Sequence, residues 1–456
     1  MKKNMPDVEC PESPTNIVIN SAGMLISFLT LATFCLFGDD LSVVEGVILV
    51  CFGLALPIIV LDIVFLKVHR SPSTGLDFDK PVQHAFWYNT VAVKLTGLAM
   101  TIGSVTFVYW LLPEYQGRFY DRYYEFLGII LPFFCALSIP YFILINRYMV
   151  EPKDGYWHVG MVLAGMLFSP KKLKQVDRNK VFQHVLGWLV KLFFLPLMFV
   201  YLADKVALYR DFDFTTLFHS YKAFFDFTFG FLFYIDLLFV TVGYLCTIRL
   251  FDAHIRSAEP GFLGWGVALM CYQPFWSMIS DSYLNYNSGT SWGYWFWDYP
   301  IIYGLWGSLI LILMGVYVWA TVSFGVRFSN LTHRGILTNG AYRYTKHPAY
   351  ISKNLSWWLI SMPFLTTGHP VTAIQHCTLL LLLNFIYLLR AKTEERHLSC
   401  DSAYVAYARY IEHHGLLAPI GRWLPVLKFK PGSLFNWASG SDAVMEPQPS
   451  STTRQP

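Results

Sequence analysis

The chain has 456 residues, of which 55% are hydrophobic and 14% charged, with a formal net charge of +4. That much apolar side chain cannot be hidden in one soluble core, so lipid must cover the excess. So small a net charge, with no long basic run, excludes nucleic acid and polyanionic partners.

In chain order, Met1 to Thr15 is polar and proline-bearing, and the first apolar run starts near Ile17. No A-x-A-like cleavage site follows it, so the run is expected to stay as a membrane span. A span needs about 20 mostly apolar residues. On that measure candidates lie near 17–37, 42–66, 86–111, 124–146, 181–202, 223–250, 261–281, 300–325, 350–367 and 371–390. The last two are short and joined by the turn Thr367-Gly368-His369-Pro370. The expected fold is all-α, a polytopic transmembrane helical protein of about 10 spans, with a short cytosolic C-terminal helical unit. Between the fourth and fifth spans, Glu151 to Lys180 mixes aromatics, a short apolar run and Lys171, Lys172 and Lys174, which fits an interfacial helix or re-entrant piece.

Six cysteines (Cys35, Cys51, Cys135, Cys246, Cys271, Cys377) lie in apolar stretches, where cysteine acts as a small hydrophobe. They form no C-x-x-C metal pattern and no disulfide framework, so no metal is expected. Cytoplasmic loops are enriched in Lys and Arg. With both termini inside, the inner segments carry Lys2, Lys3, Lys67, Arg70, Lys80, Arg256 and the basic residues of 147–180 and 327–346. The outer loops hold fewer, among them Arg118, Arg122, Lys205 and Arg210. The polar motifs of the C-terminal third therefore face the cytoplasm. Within the spans, Asp62, Lys94, Lys191, Asp226 and Asp236 are costly in lipid, and pairing between helices or snorkelling is the expected outcome. Ala438 to Pro456 is rich in Ser, Pro, Gly and Thr and reads as disordered.

Two clusters are candidates to carry chemistry, the alternatives being a basic juxtamembrane loop for the first and a solvated helix end for the second. The first runs from Thr332 to Tyr350, where Gly335, Asn339 and Gly340 permit tight turns. Pro348 restricts His347 to extended backbone and can open the next helix, holding His347 and Tyr350 at the membrane mouth. The second, Arg390 to Leu398, continues the last span out of the bilayer. On a helix Arg390 and Glu394 share a face, while Glu394 and Glu395 point about 100° apart, so one carboxylate can face a ligand while the other pairs with a cation. Beyond it Asp401 is the expected N-cap of a helix ending near Gly415, with Tyr404, Tyr407 and Ile411 on its packing face.

The string Asn339-Gly-Ala-Tyr-Arg-Tyr-Thr-Lys-His-Pro-Ala-Tyr350, a helical hairpin, then Arg390-x3-Glu394-Glu395-x2-Leu398 and Tyr404-x2-Tyr407 together resemble the isoprenylcysteine carboxyl methyltransferase family. The bacterial phospholipid N-methyltransferases share the pattern. The resemblance covers roughly residues 300–425. It divides the chain into 1–299, an N-terminal transmembrane region of unknown role, 300–437, a catalytic region, and the tail 438–456. It implies S-adenosylmethionine as cofactor and a lipid or lipidated acceptor, with a prenylcysteine carboxylate among the candidates. Carried over by position, it implicates Tyr344, His347, Tyr350 and Glu395 in cofactor binding and places Arg390 and Glu394 nearest the reacting substrate. Arg343 and Lys346 match basic positions of the first block. Ser352 stands where the family usually has Gly, and Lys346 where Arg is common, which keeps charge but not a planar fork.

An in-line methyl displacement depends on positioning and on excluding water. Tyr344, Tyr350, Trp357 and Trp358 could shield a sulfonium, and Arg390 or Arg343 could orient a carboxylate. An amine acceptor would need a base, for which Glu394 or His347 are candidates. Two other classes stay open at this point: an NADPH-dependent membrane sterol or steroid reductase, and a non-catalytic transporter or receptor. The membrane is a bacterial inner membrane or the endoplasmic reticulum.

Overall fold

A computed structural model describes residues 9–79, 81, 87–167, 170–287, 289–424 and 428–429. The expected disorder of 438–456 lies outside the described residues. In chain order the helices are α1 (Ile17–Phe37), α2 (Val43–Leu61), α3 (Trp87–Leu111), α4 (Asp121–Tyr148), α5 (Gly155–Leu167), α6 (Arg178–Arg210), α7 (Tyr221–Leu245), α8 (Phe262–Leu269), α9 (Trp292–Phe296), α10 (Pro300–Ser323), α11 (Pro348–Ser361), α12 (Pro370–Leu398), α13 (Ser402–His414) and α14 (Ala418–Trp423). A two-residue antiparallel pair joins β1 (Ser257–Ala258) to β2 (Thr332–His333), with Ser257 opposite His333.

Local chemistry sets the helix ends. Ser42 and Glu45 form a capping box at the start of α2, each side chain taking the other's backbone N–H. Helices α10, α11 and α12 each begin with proline, whose missing N–H costs nothing in a first turn.

Among the described residues eight helices are long and apolar enough to cross a membrane: α1, α2 with its π-turn extension to Leu66, α3, α4, α6, α7, α10 and α12. Large apolar side chains such as Leu25, Leu29, Phe133 and Ile312 are exposed on them, as lipid-facing positions require. The chain is therefore an all-α polytopic integral membrane protein. The remaining two sequence candidates are built differently. Residues 261–281 fold as the short α8, a turn and a π-turn at Ser277–Asp281. They still pass from one end of the bundle to the other. Behind them β1 pairs with β2, just past the end of α10. Ahead of them Trp292 packs on Phe225 and Tyr303 at the starts of α7 and α10, with ring centroids 4.8 and 4.5 Å apart. Candidate 350–367 is the 14-residue α11, about 21 Å long against a hydrocarbon core of about 30 Å.

The main core is formed by α1, α2, α6 and α7, with Val47, Leu54, Phe199, Leu202 and Phe239 among its fully enclosed residues. Helix α5 lies against α3 through two glycines. A Cβ on Gly97 would sit 1.9 Å from the Tyr156 carbonyl oxygen, and one on Gly160 would sit 2.1 Å from that of Val93, a close approach only small residues permit. Of the ionisable residues in spans, Lys94 pairs with Asp154 at 3.2 Å and Asp226 with Lys222. Asp236 accepts from Tyr317 and Thr321 of α10, both at 2.6 Å. These three follow the pairing expected of them; Asp62 departs from it, buried with its Oδ1 unpartnered, and Lys191 lies over the Trp188 ring.

Candidate active site

Helix α12 has 29 residues, about 43 Å, so it outruns the hydrocarbon core by some two turns. Those turns carry Arg390 to Leu398 and form a wall between two cavities. Successive residues on a helix point 100° apart, so Arg390, Glu394 and His397 line an inner cavity while Ala391, Lys392 and Glu395 line an outer one. Lys346, His347, Tyr350 and Tyr387 line both.

The outer cavity has a volume of about 640 Å³ and is walled by α11, α12, the end of α13 and α14. Its polar focus is the buried Glu395. One carboxylate oxygen meets Lys346 at 2.7 Å and His347 Nε2 at 3.2 Å, and the other accepts from Lys392 Nζ at 2.7 Å. The His347 ring lies parallel to that of Tyr350, centroids 5.5 Å apart. Asn354 and Asn384 hydrogen-bond each other across the hairpin, with Trp358 Nε1 donating to Asn384 at 2.7 Å.

The inner cavity is smaller, about 100 Å³. Arg390 is buried on its wall, its guanidinium within 5.2 Å of the Tyr350 ring centroid, 5.5 Å of Tyr272 and 6.0 Å of Tyr387. One guanidinium nitrogen donates to Asn330 Oδ1 at 2.6 Å, and Asn330 Nδ2 in turn donates to the hydroxyls of Tyr244 and Tyr272. Glu394 accepts from the Tyr350 hydroxyl at 2.9 Å. Opposite them stands Glu259, just after β1, its side chain only 3% exposed. It accepts from the Gly261 N–H at 2.8 Å and from Arg396 at 3.0 Å. Burial pushes the Glu259 carboxyl above the usual range, against the pull of the Gly261 N–H and Arg396.

Five of the seven sequence-derived site residues converge here: Arg390, Glu394, His347, Tyr350 and Glu395. Arg343 and Tyr344 do not join them. Both are exposed and line neither cavity, and Tyr344 instead packs on Trp319 while its carbonyl accepts from Leu416 N at 2.7 Å. The single 3-10 turn at Gly340–Arg343 sends Tyr342 inward in their place, onto the inner cavity. Sequence reasoning passed over Glu259, Tyr272 and Asn330. Their only signals were a carboxylate before Pro260-Gly261 and polar atoms in otherwise apolar or loop sequence, none of which reveals a partner far along the chain.

The loop carrying the first cluster is held by buried polar contacts. Arg334 gives its N–H groups to the carbonyls of Gly243, Cys246, Ala253, Val326 and Phe328. Gly243 and Cys246 belong to the last turn of α7, where carbonyls lack helical partners and a cation is favoured. The N-terminal segment clamps the same loop: Thr338 Oγ1 donates to Pro11 O at 2.8 Å and Asn339 to Thr15 O, while Asn20 Nδ2 of α1 donates to Val322 O of α10 at 2.8 Å.

Fold and site together define a polytopic membrane protein with a two-cavity site at one end of its bundle. Residues 306–400, from α10 to the end of α12, match the Isoprenylcysteine carboxyl methyltransferase (ICMT) family. The C-terminal third thus carries a methyltransferase-family region, set on a longer membrane-embedded chain. No curated protein and no solved structure matches.

Proposed function

We propose that this protein is a membrane methyltransferase that binds S-adenosylmethionine in the outer cavity and takes the reacting head group of a lipid or lipidated acceptor into the inner one, a prenylcysteine carboxylate being the acceptor best matched to Arg390. The observation that carries this reading is the shared lining: His347, Tyr350 and Tyr387 border both cavities, so a methyl donor in one and a nucleophile in the other come into direct in-line contact at the edge where these side chains meet. The excess of Lys and Arg at this end of the bundle supports a cytoplasmic site, in a bacterial inner membrane or the endoplasmic reticulum.

The residues present fit the cofactor. A volume of about 640 Å³ falls in the range of pockets that enclose small-molecule ligands. Lys346 and Lys392 offer cationic donors to a carboxylate, Glu395 an acceptor for hydroxyl or ammonium groups, and Tyr350 and Tyr387 ring faces for a sulfonium. When bound, S-adenosylmethionine supplies an electrophilic methyl group on a sulfonium sulfur. Glu395 holds Lys346, His347 and Lys392 in one constellation. Arg390 uses one nitrogen on Asn330 and keeps its other donors for a substrate carboxylate, which it can grip without losing its own charge. A carboxylate is ionised at neutral pH, so that acceptor needs no general base. The rings of Tyr272, Tyr350 and Tyr387 around Arg390 exclude water from the nucleophile. For an amine acceptor Glu394 would take the proton.

Calorimetry on detergent-purified protein tests the cofactor class. Saturable S-adenosylmethionine binding, lost in still-folded His347→Ala and Glu395→Ala, is the expected result, with methyl transfer to a farnesylcysteine analogue exceeding that to phosphatidylethanolamine. Binding of NADPH alone would sink the proposal in favour of a reductase.

A further inference from the structure

A second large cavity lies outside the matched region, at the same end of the bundle. It has a volume of about 550 Å³ and is walled by α4, α5, α6 and the segment between α7 and β1. Its lining includes Lys153, Lys180, Lys191, Arg249 and Arg256 against only two carboxylates, Glu151 and Asp154.

Both carboxylates are already engaged. Glu151 pairs with Lys180. Asp154 pairs with Lys94, which is fully buried behind the wall, and also accepts from the Trp157 N–H at 3.1 Å. The remaining cations are not neutralised within the lining. Lys191 sits over the Trp188 ring at 4.4 Å and Lys153 over Trp157 at 4.9 Å. Arg249 gives one nitrogen to the Thr74 carbonyl at 2.7 Å. Arg256 reaches Asp252 with one nitrogen, while its Nε is buried without a partner, as is Nδ1 of His254 on the same wall. Burying excess positive charge and unpaired donors is costly unless an anion completes the site.

We infer that this cavity binds a phosphate-bearing anion, carried on a lipid headgroup or on a small soluble compound. Phosphate rather than carboxylate follows from the donor set. Lysine and arginine converge from three separate segments, which suits an anion presenting oxygens in several directions, whereas a carboxylate presents two in one plane. The position also suits a headgroup: Lys153 and Glu151 are exposed at the mouth and Lys191 lies deeper along α6, as in basic pockets between membrane helices. One hydrogen bond links the wall of this cavity to the wall of the candidate active site. Ser257 lines it and hydrogen-bonds His397 Nε2 at 2.9 Å, and His397 lines the inner cavity beside Glu259.

The test is binding of three probes to the full chain in detergent: inorganic phosphate, dioctanoyl phosphatidylglycerol, and dioctanoylglycerol, which lacks phosphate. Lys191→Gln and Lys153→Gln are compared with Arg118→Gln, an exposed cation outside the cavity. The inference expects affinity for a phosphate probe to fall by roughly tenfold in Lys191→Gln and measurably in Lys153→Gln, with Arg118→Gln unchanged. Lys153 is exposed, so its substitution leaves folding intact and keeps the test decisive where Lys191→Gln does not fold. Binding of phosphate itself marks a soluble ligand, and binding of the phospholipid alone marks a headgroup. No binding of either phosphate probe, equal binding of dioctanoylglycerol, or affinities unmoved by both lysine substitutions would overturn the inference.

Discussion

At the scale of single residues, the proposed chemistry rests on what each side chain still has free. Arg390 has one nitrogen on Asn330 and three aromatic rings around it, so its planar fork is held ready. Arg390→Lys keeps the charge and loses the fork. The expected outcome is a fall in kcat/KM of roughly tenfold or more toward a carboxylate acceptor, with S-adenosylmethionine affinity unchanged, read by methyl-transfer kinetics beside calorimetry. Gly340 illustrates a residue fixed by its backbone. Its φ is +55°, and an added Cβ would meet Ser323 Oγ at 2.1 Å. Gly340→Ala is therefore expected to destabilise by about 1–3 kcal/mol, seen as a lowered thermal transition. The turn propensity of Asn339-Gly340 was legible in the sequence; the partner that forbids a side chain there belongs to another helix.

At the scale of elements, α13 shows how a correctly read helix docks. Asp401 caps it by accepting from the Ala403 N–H at 2.8 Å, and Tyr404, Tyr407 and Ile411 are buried, as the spacing predicted. The docking adds a pair the spacing did not reveal: His333 of β2 lies 3.3 Å from Asp401. A hydrogen bond with His333, together with the Ala403 N–H, holds the Asp401 carboxyl below its ordinary range in spite of partial burial. A depressed carboxylate contributes stability that is present above its unfolded pKa, about 3.9, and is lost as pH falls through the lower folded value. Thermal unfolding of the wild type should accordingly lose stability on that acid limb, and Asp401→Asn should start lower at pH 7 and show a flatter limb. An acid limb equally steep in the variant would exclude Asp401 as a contributor. Helix α12 carries a parallel lesson. The 100° offset between Glu394 and Glu395 was visible in sequence, but that each would face a different cavity depends on α11, α13 and β1 enclosing the helix on two sides.

At the scale of the whole molecule, the matched region is not self-contained. Glu259 and Tyr272 line the inner cavity, and Tyr244 anchors the Asn330 that holds Arg390. The N-terminal segment clamps the loop at Thr338 and Asn339. A fragment beginning at residue 300 would keep the motifs and lose these supports, leaving buried groups of Arg334 and Asn330 unpaired at a cost of about 1–3 kcal/mol each. Such a fragment is expected to bind S-adenosylmethionine weakly or not at all, as measured by calorimetry against the full chain. Co-expression with residues 1–299 is expected to restore binding if the halves reassemble. Affinity in the isolated fragment equal to that of the full chain would show the N-terminal helices to be dispensable for the site.

The sequence by itself determined that this protein lies in a membrane, which long stretches are helical, that Pro348 opens α11, and which two polar clusters meet at the candidate site. Those features are local: hydropathy over a span, a cap, or a one-turn spacing records the preference of a short segment for its own environment. Only the tertiary structure decided that Tyr342 points inward while Arg343 and Tyr344 face out, that residues 261–281 cross as broken pieces, and that Glu259 of the inner cavity pairs with Arg396. Each of these depends on partners more than a hundred residues distant or on a single turn's rotation. Burial and unpaired polar groups select among such arrangements only once the whole chain has closed around them.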